Sequence, residues 1–349
     1  MNYVLGIDTT FHTTAVALVD DSGEVVLDER RCLDIEDEKA DEFFNLHSEN
    51  LHYLLGPVAK NFMDRISFIA VSNNGGAFHS LPVGVNAANV LAAIYGKKLV
   101  GISHEVAHLY SNWIGRRENE FRFPIVSLNI SAAHSNIWFI GNQADVQKLK
   151  NLTWHNFQNK FSGLGAFFGY FCHHLGVETG RKEGGAVFSE LASRGKIRTF
   201  QAFQKIKIRD NASSLFITNL DPIGNIIDTS RKYTYEEICD LAASLSDRLF
   251  TLLSEKIIDI AGSCSAREVH LAGGVAASPI LREKMKIAAD QKNFNFKAPE
   301  KIDYCFDNAV MVALAGYYQK KVLESQTVLE AHPDQGHYQY YFNKYFRSL

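Results

Sequence analysis

Leu5-Gly-Ile-Asp-Thr-Thr10, followed by Ala15-Val-Ala-Leu-Val-Asp20, is the stretch that decides the fold. Two apolar runs, Tyr3–Ile7 and Thr14–Asp20, flank a short polar turn and read as the strands of a hairpin. The turn puts backbone N–H groups, threonine hydroxyls and the Asp8 carboxylate at one tip, where an anion or a metal-bound water can be met. An ordinary hairpin turn with an Asp has the same composition, so a second signal is needed. Leu271-Ala-Gly-Gly-Val-Ala-Ala-Ser278 supplies it. Gly273 and Gly274 come directly after a strand, and adjacent glycines let backbone approach a ligand closely before the next helix begins. Ser278 and Pro279 read as the N-cap and first residue of a helix Ile280–Ala289, so Ser278 has a purely capping role open to it.

Working outward, Glu24–Arg30 is a third strand after the turn Asp20–Gly23. A helix over about 40–62, a strand Ile66–Val71, a Gly-containing loop Asn73–His79, a helix Val83–Tyr95 and a strand Lys98–Ile102 follow. From Pro124 the pattern restarts, with strands Ile125–Ile130 and Ser135–Ile140, a helical middle section and the strand Val269–Leu271. At 349 residues two lobes are expected. They are read as 1–122 and 123–325, the second with a helical insertion, followed by an aromatic tail 326–349, read first as packing across the lobes and second as a partner surface. Lys205-Ile-Lys-Ile-Arg209 alternates like an edge strand with one wet face.

The early hairpin Asp and the late strand-Gly-Gly-helix together match the pattern of actin, heat-shock chaperone ATPases and sugar kinases. The predicted fold class is therefore α/β, two actin-like (RNase H-like) lobes. Hydrophobic content of 46% and charge of 21% provide for two ordinary cores. Five scattered cysteines, odd in number and without a Cys-x-x-Cys pair, argue against a disulfide framework and a thiolate zinc site, and fit a reducing cytoplasm. No basic leader precedes Tyr3 and no apolar run nears the ~20 residues that span a bilayer, so neither export nor membrane insertion is expected. With a net charge of −3, a nucleic-acid partner has to be held by a local basic patch or by other subunits.

His104 and His108 stand four apart after Ser103, a residue suited to N-capping, so both project from one helix face and can share an ion. Asp307 precedes the apolar helix Ala309–Tyr317. Separately these are two core histidines and a helix cap. Together, two imidazoles and a carboxylate suit one divalent metal ion, Fe or Zn, with positions left for substrate oxygen. His104-Glu-Val-Ala-His108 also spells the His-Glu-x-x-His of zinc proteases, but the third ligand at that motif's usual offset is missing.

From Tyr3 to about Lys320 the chain resembles the threonylcarbamoyladenosine synthases of tRNA modification, a branch of the actin-like superfamily. Leu5-Gly-Ile-Asp-Thr-Thr is similar to that family's Gly-Ile-Glu-Thr-Ser, His47-Ser-Glu49 to its His-x-Glu, and Ser80-Leu-Pro-Val-Gly84 to its Ser-Leu-x-Val-Gly. His104, His108 and Asp307 fall on its metal ligands, while Leu271–Ala277 and Asp240-Leu-Ala-Ala-Ser244 match further motifs. The resemblance implies that threonylcarbamoyl-AMP donates its carbamoyl carbon to the exocyclic amine of an adenosine in the tRNA anticodon loop, with Asp8 and Thr13 near the catalytic centre. It implies a nucleotide, threonylcarbamoyl-AMP or ATP, held by Ser131, Ala132, Ala133, His134, Ser135, Gly169, Gly184, Gly185, Gly273, Gly274 and Ser278. It also implies tRNA and partner ATPase or paralogue proteins as partners.

The departures from the family pattern cluster around the nucleotide. Ser131-Ala-Ala-His-Ser135 stands for Ser-Gly-Gly-His-Thr, Gly169 for a ribose-binding Asp, Thr218-Asn-Leu-Asp221 for Ser-Gly-Leu-Lys, and Ser278 for Asn. Thr13 replaces a Glu. The pattern reads as a metal site kept and a nucleotide site remodelled. Two other readings follow. Phe11-His-Thr-Thr-Ala15 is similar to the Phe-His-x-x-Ala opening of small-molecule carbamoyltransferases. A non-catalytic scaffold paralogue is the other, and the retained metal ligands speak against it.

Overall fold

A computed structural model describes residues 2–33, 40–132, 134–154, 163–177 and 184–334. The described residues group into two compact units, the first formed by residues 2–121, 142–145 and 299–334, the second by residues from 122–141 and 146–298.

In the first unit, β1 (Tyr3–Asp8), β2 (Thr13–Asp20) and β3 (Val25–Cys32) form the expected antiparallel meander. Its tight turn is closed by Asp20, whose Oδ1 accepts from the Ser22 and Glu24 amides. After α1 (Ala40–Asn61) come β4 (Ile66–Asn74), α2 (Leu81–Tyr95), β5 (Lys98–Ser103) and α3 (His104–Tyr110). β4 runs parallel to β1 and β5 parallel to β4, giving the sheet order β3-β2-β1-β4-β5. The helices lie where their periodicity sends them. Leu51, Leu54, Leu55 and Val58 of α1, and Leu81, Val85, Ala88 and Ala92 of α2, recur every three or four residues and are buried.

The second unit holds a mixed sheet of order β12-β11-β6-β7-β8-β10-β9. Its strands are β6 (Ile125–Ile130), β7 (Ser135–Ile140), β8 (Val146–Thr153), β9 (Lys207–Asp210), β10 (Ser214–Thr218), β11 (Glu268–Ala272) and β12 (Asn295–Lys297). Between them come α4 (Leu164–His174), α5 (Gly184–Arg194), the single turn α6 (Gln201–Gln204), the 29-residue α7 (Tyr235–Ser263) and α8 (Pro279–Gln291). β9 is the edge strand that the Lys205–Arg209 alternation announces. No helix among the described residues is long and apolar enough to cross a membrane.

Residues 299–325, assigned by a linear reading to the second lobe, cluster with the first unit. The reason is α9 (Ala309–Gln319), which is apolar on all sides and lies across the first sheet. Gly6 and Gly316 permit the crossing: a Cβ at Gly6 would meet the Ala309 carbonyl oxygen at 2.3 Å, and one at Gly316 would meet the Ala70 Cβ at 2.6 Å. The chain then continues along the same unit, burying Leu329 in its core. The rest of the aromatic tail, from residue 335, lies outside the described residues.

Candidate metal centre and glycine-lined loops

α3 starts where β5 ends, so His104 opens the helix and His108 follows one turn later on the same face. Ser103 occupies the N-cap position but makes no side-chain cap bond, so its expected capping role is not seen. α9 is capped by Asn308 instead of Asp307. The Asn308 Oδ1 accepts from the Met311 amide at 2.9 Å, which leaves the Asp307 carboxylate free to turn toward α3.

Asp307 Oδ1 lies 3.3 Å from both His104 Nε2 and His108 Nε2, and the two ring nitrogens are 3.2 Å apart. Ligand atoms bonded at ~2.0–2.1 Å to a tetrahedral ion are separated by roughly 3.3–3.4 Å, so the three donors already have the spacing of three corners around one ion. The surroundings fit that use. His108 Nδ1, His104 Nδ1 and Asp8 Oδ2 are buried without hydrogen bonds, although His104 Nδ1 and Asp8 Oδ2 approach to 3.5 Å. Thr10 Oγ1 donates to Asp307 Oδ2 at 3.4 Å, and the Thr10 amide donates to Asp8 Oδ1 at 3.1 Å. Neighbours of this kind orient ligands and tune their basicity.

The electrostatics divide the pair of imidazoles. Burial lowers the pKa of His104, but the Asp307 and Asp8 carboxylates outweigh it and raise it well above the ordinary value. Burial dominates at His108, whose pKa is lowered. Two facing imidazoles beside one carboxylate therefore make a place where a proton and a cation compete, and ion binding has to displace any proton held there.

The other residues expected in this unit are placed less uniformly. Asp8 borders the group. Thr13 opens β2 opposite Cys32, and no bond links its hydroxyl to the histidines or Asp307 among the described residues. Thr9 does not leave its hydroxyl open at the turn: it donates to the Ser80 carbonyl and accepts from the Gly84 amide, tying the hairpin to the start of α2. Sequence reasoning placed the Thr10 hydroxyl at the turn but missed its bond to Asp307, and it did not name His12 as a site residue. Burial pushes His12 down to about 4, and Asp307 is near enough to offset part of that. Only the Phe11-His-Thr-Thr-Ala15 motif carried a signal for it.

The nucleotide candidates meet in the second unit. The turn after β6 is closed on itself: Ser131 Oγ donates to the His134 carbonyl, and the His134 amide donates back to Ser131 Oγ. The Ser131 carbonyl accepts from the Gly165 amide at 3.1 Å and Ser135 Oγ accepts from the Leu164 amide at 3.0 Å, so this turn caps α4. A Cβ at Gly163 would meet the Ala132 carbonyl oxygen at 2.3 Å. Ala133 lies outside the described residues. Gly169, in α4, packs on the start of α5, where a Cβ on Gly184 would come within 2.3 Å of the Gly169 Cα, while Gly185 has room for one. Gly273 has φ +82° and presses on the end of β6, its Cβ position 2.4 Å from the Ile130 carbonyl oxygen. Gly274 opens the turn that follows, and Ser278 caps α8 through the Leu281 amide at 3.5 Å. Asn219, at the position of a family glycine, has φ +65°, a conformation Asn tolerates.

Asp240 and Ser244 also act within the fold: they accept from the Lys196 and Arg198 amides and hold the segment after α5 against α7. A cavity of about 900 Å³ at the start of α7, lined by Arg198, Arg231, Glu237 and Asp240 among others, contains none of the candidate residues.

A meander-plus-parallel sheet crossed by helices, with a second mixed sheet of strands and helices, defines the actin-like class of two-lobed α/β proteins. Solved members with the same fold include HypF from T. kodakarensis, with TM-score 0.64 and 12% identity over 92% of this chain, and a ROK family glucokinase from Streptomyces griseus, with TM-score 0.51 and 10% identity over 89% of this chain and 98% of that one. The chain spans about half of the HypF structure, 48% of its length. Residues 45–314 match the family model of tRNA N6-adenosine threonylcarbamoyltransferase (TsaD), and the chain belongs to that family. Among curated relatives of that name, the protein of Fervidobacterium nodosum is 30% identical over 90% of this chain and 92% of its own, and that of Thermosipho africanus 26% identical over 95% and 98%.

Proposed function

We propose that this protein is a metal-dependent transferase that makes threonylcarbamoyladenosine in tRNA. In the reaction, the exocyclic amine of an anticodon-loop adenosine attacks the carbamoyl carbon of threonylcarbamoyl-AMP, the bond from that carbon to the bridging oxygen breaks, AMP leaves and the amine loses one proton. The observation that carries the reading is the convergence of His104, His108 and Asp307 at ion-sharing distances within a chain of this family. These three side chains would hold one divalent ion, Fe or Zn, which when bound supplies a Lewis acid for carbamoyl or carboxylate oxygens.

The chain's own groups support that role. Thr10 fixes one oxygen of Asp307, and Asp8 faces the far nitrogen of His104. The Asp8 carboxylate, buried beside the group, is the residue here best placed to stabilise positive charge as the amine reacts. Thr13, at the start of β2, is assigned a place along the reacting group. The backbone around Ser131–Ser135, Gly169, Gly184, Gly185, Gly273, Gly274 and Ser278 is the proposed seat of the adenylate, reached through backbone groups, because the Ser131 and Ser135 hydroxyls are already engaged. With a net charge of −3, tRNA is expected to be held together with partner ATPase or paralogue proteins in the cytoplasm.

Incubating the metal-replete protein with threonylcarbamoyl-AMP and unmodified tRNA, then digesting the tRNA for mass spectrometry, should yield threonylcarbamoyladenosine. Its absence with the family's partner proteins present would overturn the tRNA reading. The search would then move to small-molecule carbamoyl acceptors, the reading that the Phe11-His-Thr-Thr-Ala15 stretch supports.

A further inference from the structure

From residue 315, just past the end of the family match, to residue 334 the chain stays with the first unit. Gln326 pairs with Leu99 at the edge of β5 through two backbone bonds of 2.8 and 2.9 Å. Asn89 of α2 clasps the backbone of Leu329, donating to its carbonyl and accepting from its amide, both at 2.9 Å. Asn73 donates to the Glu330 carbonyl and accepts from the His332 amide. The strap ends on the loop after β4. Gly75 donates to the His332 carbonyl at 3.1 Å, Gly76 donates to Asp334 Oδ2 at 2.8 Å, and the Asp334 amide donates back to the Gly76 carbonyl at 3.0 Å.

That loop is the one that touches the metal group. Gly76, at φ +105°, lies so close to Thr10 that a Cβ would meet its carbonyl oxygen at 2.8 Å, and the Ala77 amide donates to the same oxygen at 2.8 Å. Thr10 in turn donates to Asp307. A Cβ on Gly75 would lie 3.6 Å from the Cβ of His104. Two consecutive glycines with positive φ have the largest conformational freedom to lose, and the strap supplies the partners for both of their amides.

We propose that the end of this strap, His332–Asp334, is a working part of the metal site, with Asp334 a positioning residue. It fixes the Gly75–Gly76 turn, the turn backs Thr10, and Thr10 sets the oxygen of Asp307 that the histidines do not face. This rests on the reading of His104, His108 and Asp307 as metal ligands.

The test uses the full-length chain and Zn²⁺ in competition with a chromophoric chelator. Asp334→Ala is expected to weaken Zn²⁺ binding by ~10-fold, the usual size of an effect exerted on ligands through their neighbours. Asp334→Asn keeps an oxygen acceptor for Gly76 and should stay within ~2-fold of wild type. The melting temperatures of both metal-free variants should remain within ~2 °C of wild type. Asn89→Ala, which loosens the strap far from the turn, should lower the melting temperature and leave Zn²⁺ affinity alone. Unchanged affinity in Asp334→Ala overturns the proposal, as does Asp334→Asn binding as weakly as Asp334→Ala, or Asn89→Ala losing affinity to the same degree. A wild-type protein that does not bind Zn²⁺ is a different result, which removes the ligand assignment itself and this proposal with it.

Discussion

In the first unit polar side chains converge with donors left over, whereas in the second the backbone closes on itself. His104, His108 and Asp307 face one another at 3.2–3.3 Å while ring nitrogens behind them lack hydrogen bonds. Around Ser131–Ser135 the hydroxyls and carbonyls are spent on each other and on the start of α4, and the glycines press against neighbouring backbone. The contrast separates two kinds of motif. A cluster of titratable side chains whose rear nitrogens are left without hydrogen bonds calls for something not in the polypeptide, while a glycine after a strand also has a packing role.

The sharpest way to break the contrast is to remove donors from the first unit. His104→Ala combined with His108→Ala should reduce Zn²⁺ affinity by at least ~100-fold while the folded state persists, read by chelator competition and circular dichroism. Equal metal retention in the double variant would mean the ion sits elsewhere. Next, Gly273→Ala puts a Cβ at φ +82° and 2.4 Å from the Ile130 carbonyl oxygen, and should destabilise the fold by about 3 kcal/mol. Measured by urea unfolding, a loss near zero would show that packing does not demand this glycine and would return it to the ligand.

Acid should distinguish the units by a similar or smaller amount. Burial pushes His47 down to about 4, with the bond to the Phe11 carbonyl opposing only in part. Between pH 6.5 and 4 the unfolded chain protonates this residue and the folded one does not, so its contribution, about 3 kcal/mol, is present above pH 6.5 and lost as pH falls through that window. In the second unit burial alone would raise Glu268, but hydrogen bonds from His270, Lys297 and Asn295 hold it at about 2. Its contribution survives to pH 4.5 and fades toward 2. Hydrogen exchange, corrected for intrinsic rates, should show α1 and β2 losing protection before β11 and β12. Simultaneous loss would refute the assignment.

Much of this was readable in the sequence where a period or spacing carried it. The meander, the buried stripes of α1 and α2 and the four-residue step from His104 to His108 all follow from local pattern. Asp307 read as either a helix cap or a third ligand, and its neighbour Asn308 takes the capping role that local rules offered to it. What stayed hidden depends on distant partners. β12 has three residues and exists as the edge partner of β11. The packing role of Gly184 comes from its close approach to Gly169 of α4, which its own stretch of sequence does not show. Thr10 and the strap matter only through chain segments that no window of sequence contains.

The crossing of α9 over β1 at Gly6 also fixes an order of events. Thr10 and Asp307 are separated by 297 residues, so the carboxylate of the centre is made long after the hairpin it meets. At ~5–20 residues per second, the ribosome delivers Asp307 roughly 10–40 s after the histidines. A nascent chain therefore carries two imidazoles without their carboxylate, and the complete set of three donors arises only after α9 has docked.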